Sequence, residues 1–111
     1  MAFSLRFATE IMDQLATVGA LTSRRMFGAM GIYAGGVIFS MIVDETLYLR
    51  LDEAGFGALR RLGAAPLRPM SRKHDLQSAR YISVPLEILD DRDALIGWVS
   101  HAIKVAPRNL E

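Results

Sequence analysis

The side chains able to do chemistry in this sequence are few and scattered. Its two histidines are His74 and His101. Zinc requires three or four converging ligands, and neither histidine has a cysteine, a second histidine or a carboxylate at a ligand spacing, Asp75 beside His74 excepted. Ser100 precedes His101, but neighbours on a helix point about 100 degrees apart, so adjacency does not make a nucleophile and its base. Asp90, Asp91 and Asp93 form a small carboxylate cluster that helix capping accounts for. Gly28-Ala29-Met30-Gly31 has the outline of a backbone-clamping loop, yet it falls between expected strands, where paired glycines mark a turn or bulge. No Gly-Lys-Ser/Thr follows it to cradle a phosphate. The sequence therefore assigns no catalytic, cofactor-binding or metal-binding residue, and the chain is expected to be non-enzymatic.

Charge is unevenly placed. Thirteen basic residues against twelve acidic ones leave a net charge of +1. Residues 60–80 hold Arg60, Arg61, Arg68, Arg72, Lys73 and Arg80 against Asp75 alone, whereas in residues 85–93 Glu87, Asp90, Asp91 and Asp93 outweigh Arg92. The basic segment, with Tyr81 beside it, is a candidate contact for a polyanion or a protein partner, and nucleic-acid binding there would weaken steeply with salt. A solvated face, or a basic patch meeting the acidic one of a second subunit, is the favoured reading, because nucleic-acid domains usually carry a larger basic excess.

These residues must be positioned by a chain of 111 residues, 51% apolar and 23% charged. That length suits one domain, residues 1–111, which buries about two-thirds of its unfolded surface and needs no staple. The absence of cysteine excludes disulfides and thiolate chemistry and suits a reducing compartment. Arg6, Glu10 and Asp13 interrupt any secretory leader, and no run of 18 apolar residues spans a bilayer, so a cytoplasmic location is expected.

Phe7, Ile11, Leu15 and Val18 share one stripe of a helix over about residues 4–18, closed by Gly19. From Thr22 the period becomes two. Strands are expected at about 22–27, 31–34, 37–43 and 46–51, with Gly35-Gly36 as a primed hairpin turn and Asp44-Glu45 as a second turn. In the third strand Val37, Phe39, Met41 and Val43 are placed on one face and Ile38, Ser40 and Ile42 on the other, which makes it central. Asp52 stands as the N-cap of a short helix carrying Phe56, Leu59 and Leu62 and ended by Gly63, although Gly55 and Gly57 each cost about 1 kcal/mol against alanine. Pro66 and Pro69 border an extended segment. Ser78 to Val84 alternates as a sixth strand that Pro85 stops. Asp90 and Asp93, at N-cap and N3 spacing, open a last helix with Leu95, Val99, Ala102 and Ile103, terminated by Pro107. The order α-ββββ-α-ββ-α implies an α+β two-layer sandwich of three helices on a mainly antiparallel sheet of about six short strands. Its exposed sheet edges suggest a homodimer.

Met26-Phe27-Gly28-Ala29-Met30-Gly31-Ile32-Tyr33, Gly36-Val37-Ile38-Phe39, Leu47-Tyr48-Leu49-Arg50-Leu51-Asp52, Tyr81 with Pro85, and Trp98 with Ala102 resemble the N-terminal domain of the TfoX/Sxy family. The similarity runs from about Thr22 to the end of the last helix. It implies a fold like that of type III secretion chaperones and a role in regulating competence for DNA transformation. A transcription regulator of the cyclic-AMP receptor type is the implied partner. The resemblance also implies a stand-alone version without the family's helical C-terminal domain, and it carries no catalytic motif or cofactor onto residues of this chain.

Overall fold

The computed structural model describes residues 4–26, 28–67 and 80–107. Helix α1 spans Leu5–Leu15 and is opened by Ser4, whose hydroxyl accepts from the Phe7 amide at 3.2 Å. It ends three residues earlier than the apolar stripe suggests, because Ala16–Val18 tighten into a 3-10 turn before Gly19 at φ 143°. Strands β1 (Leu21–Met26), β2 (Ala29–Ala34), β3 (Val37–Val43), β4 (Thr46–Arg50) and β5 (Tyr81–Ser83) form one antiparallel sheet in sequence order. The turns are those the sequence indicates, with Gly35 and Gly36 at φ 58° and 80° and Asp44 at φ 55°. Strand β2 starts two residues before its expected onset, since Met26 pairs with Ala29.

Among the described residues the sheet has five strands, not six. Pro66 forms a single bridge to Ile82, the Leu67 amide donates to the Tyr81 carbonyl and the Ser83 amide to the Ala65 carbonyl. Proline has no amide to donate to a ladder, so this segment caps the edge of β5 without becoming a full strand. Pro69 and residues 78–79 lie outside the described residues.

A second correction concerns β3. The register shifts between Ile32 and Tyr33, so that Tyr33 opposes Ile38 while Ile32 opposes Ser40. Phe39 is the extra residue, and a bulge of this kind reverses the alternation of the strand on either side of it. Phe39 consequently joins Ile42 on the helix-facing side, and Ile38 joins Met41 and Val43 on the other.

Helix α2 (Glu53–Arg61) follows Asp52, and Gly63 turns the chain at φ 92° after it. A four-residue helix α3 (Leu86–Leu89) has Pro85 at its N-cap, and α4 covers Arg92–Val105. Asp90 is not the cap of α4. Its amide closes α3, and Asp91 caps α4 by accepting from the Ala94 amide at 3.1 Å. The helices lie on one face of the sheet. Ile11 and Leu15 of α1, Leu59 of α2, Ile88 of α3 and Leu95, Val99 and Ala102 of α4 pack on Ile32, Phe39, Ile42, Leu47, Leu49 and Ile82. A smaller cluster of Ala29, Met41, Val43, Leu67 and Tyr81 occupies the opposite face. No described helix is long and apolar enough to cross a membrane.

Candidate functional site

Helices α2 and α4 flank a groove along faces made of small residues. Ala54 and Ala58 stand four apart on α2, and Ala94, Gly97 and His101 recur at spacings of three and four on α4, each set on one helical face. With so little side chain between them, the helices leave an open groove of about 450 Å³ lined by Ala54, Gly55, Ala58, Ala94, Gly97, Trp98 and His101. Trp98 is the chain's single tryptophan and is half-buried. Its indole meets the His101 ring edge to face, with centroids 6.4 Å apart and planes at 87°.

His101 is held from behind by Asp52, its Nε2 lying 3.2 Å from Oδ1. The same oxygen accepts the Gly55 amide at 2.9 Å as the cap of α2. The hydrogen bond from the Gly55 amide and the pairing with His101 together hold the Asp52 carboxyl below its ordinary range, against the opposing effect of its burial. An ionised carboxylate only accepts, so in this bond the His101 Nε2 donates. Gly55 has a reason to be glycine inside a helix. A Cβ there would lie 2.9 Å from Asp52 Oδ1 and 3.4 Å from Leu51 Cβ, displacing the cap. Asp52→Ala is expected to cost about 0.5–2 kcal/mol through the lost cap, read as a lower urea midpoint.

Gly97 is different, because a Cβ there meets nothing within 4 Å. Gly97→Ala is accordingly expected to stabilise the domain by up to about 1 kcal/mol through helix propensity alone, measured by urea unfolding at neutral pH.

The residues singled out by charge do not form this groove. Arg60 and Arg61 are exposed on the last turn of α2, where cations favour the helix C-terminus. Arg80 is exposed just before β5 with φ 56°. Arg68, Arg72, Lys73 and His74 lie outside the described residues. The pairing of Asp52 with His101 was missed in sequence because 49 residues separate them. The available signal was the small-residue spacing on each helix, which marks two faces without saying that they flank one groove.

Among the described residues a five-stranded meander is backed by helices, with an apolar groove between α2 and α4, which defines a small α+β domain. The TfoX N-terminal domain family model matches residues 13–106, and the chain belongs to that family, a domain of the competence-regulator type. No curated protein matched the chain.

Proposed function

We propose that this chain is a non-enzymatic regulatory domain that binds a protein partner through the groove between α2 and α4. The groove carries this reading. It combines an aromatic anchor, Trp98, with a floor of small residues that admits a partner's side chains and a polar tip at His101. The partner proposed is a transcription regulator of the cyclic-AMP receptor type, in keeping with the family, and the compartment is the cytoplasm. The test is calorimetric titration of the purified domain into such a regulator, with Gly97→Arg alongside. Binding by the unaltered chain and at least a tenfold loss in the variant, about 1.4 kcal/mol, are expected. No binding by either chain removes the partner, and equal binding removes the groove.

Direct nucleic-acid binding is the second reading, favoured by the exposed Arg60, Arg61 and Arg80 and the basic composition of residues 60–80. It requires binding to a labelled DNA duplex that collapses between about 50 and 200 mM salt, and a salt slope that falls by up to about three units when Arg68, Arg72 and Lys73 become alanine. A homodimer is proposed on the same footing, and a light-scattering mass of one chain excludes it.

A further inference from the structure

The two edges of the sheet are treated differently by the fold. The outer edge of β5 is occupied by residues 65–67 through two backbone hydrogen bonds of 2.9 Å. Among the described residues no strand pairs with the outer edge of β1. That strand runs six residues, Leu21–Met26, without a proline or a bulge against β2, and Thr22 to Arg25 are exposed. Alternate residues of an antiparallel edge strand direct their amides and carbonyls away from the sheet, which makes β1 a template for another strand.

Two further observations say what kind of strand fits. Arg24 is exposed on this strand, and β1, β2 and β3 contain no acidic residue. A depression of about 260 Å³ opens beside the edge, lined by Thr22, Ser23, Arg24, Tyr33 and Gly36. Thr22 opposes Tyr33 in the β1–β2 register, which places both with Arg24 on one face of the sheet. Charge alone protects an edge from aggregation, but it does not require a cleft rimmed by hydroxyls and a guanidinium. Such a cleft suits the carboxylate of every second side chain in an added strand.

We infer that β1 is a docking edge for an extended acidic segment of a protein partner, added as a sixth strand with a carboxylate seated against Arg24. A second copy of this chain is the poorer occupant. Pairing β1 with itself doubles the guanidinium groups along one seam, and like charges across strands destabilise it. This surface is separate from the α2/α4 groove.

The probe is a fluorescein-labelled octapeptide of alternating Glu and Thr, with a Lys and Thr octapeptide as control. Anisotropy is read on the full chain and on Arg24→Glu and Gly97→Arg. Hydrogen exchange follows the β1 amides. The expected result is binding of the acidic peptide alone, weakened at least about tenfold by Arg24→Glu and unchanged by Gly97→Arg, with slowed exchange confined to β1 and the cleft. Binding of neither peptide, equal binding of both, or protection away from β1 overturns the inference. So does self-association that Arg24→Glu abolishes, which makes the edge a dimer seam, or capture of a labelled DNA duplex at β1 in place of the peptide. Because Gly97→Arg leaves this edge intact, failure here is distinct from failure of the groove.

Discussion

Phe39→Ala is expected to destabilise the domain by about 3–5 kcal/mol. Phe39 is fully buried in the main core, among Ile11, Leu15, Ile42, Leu49 and Leu95. Its removal forfeits the transfer free energy of an aromatic ring and leaves a cavity bounded by a sheet and by helices docked at several points, which limits collapse. The bulge adds to the cost. Phe39 is the extra residue that lets β3 change faces between Ile38 and Ser40, so no neighbour in the ladder replaces its ring. A domain of this size is stable by roughly 5–15 kcal/mol, so the variant should unfold at a much lower urea concentration with an unchanged slope. Phe39→Leu, which keeps most of the volume, should retain most of the stability. A loss below about 1 kcal/mol for the alanine variant would show that the helices collapse onto the vacated space.

Alkaline destabilisation through Tyr81 is the second large effect. Tyr81 is 4% exposed on the sheet face away from the helices, against Ala29, Met41, Val43 and Leu67. Burial pushes its phenol up to about 12, and the nearby Arg50 guanidinium only partly offsets that rise. In the unfolded chain the same phenol ionises near 10. Between these values the unfolded chain releases a proton that the folded chain keeps. The contribution of Tyr81 is therefore fully present below pH 10 and is lost as the pH rises toward 12, on the order of 2–3 kcal/mol in all. Urea midpoints from pH 8 to 12 should fall along this window, and Tyr81→Phe should remove most of the slope. Tyr48, also raised by burial and by Asp44, contributes in the same direction. A slope identical in Tyr81→Phe would assign the alkaline loss to other groups.

The elements built from local pattern were legible at the level of residues. The period of two from Thr22 to Leu51, the glycines at 35 and 36, and Asp52 ahead of Phe56 and Leu59 each name a structure that local sterics and capping enforce, and each is found. Where local chemistry offered two answers, the tertiary structure chose. Asp90 and Asp91 are equally good caps by type, and the choice fell to Asp91 because α3 ends on the amide of Asp90. The faces of β3 were misread because a bulge leaves no mark in a strand that is apolar on both sides. Alternation between Val, Ile, Phe and Met reads the same in either phase.

The groove was invisible for a related reason. Ala54, Ala58, Ala94 and Gly97 are ordinary helix residues one at a time, and the Asp52–His101 hydrogen bond joins positions whose separation in sequence carries no signal. The sequence by itself determined the family resemblance, the first helix, the four-strand meander with its turns, the helix after Asp52 and the central place of β3, because hydrophobic period, glycine conformation and capping act over a few residues. Only the tertiary structure decided which face receives Phe39, which helices flank the groove, and which sheet edge is left without a partner strand among the described residues. Those outcomes depend on the simultaneous packing of segments distant in the chain, where burial of the whole core outweighs the preference of any one residue.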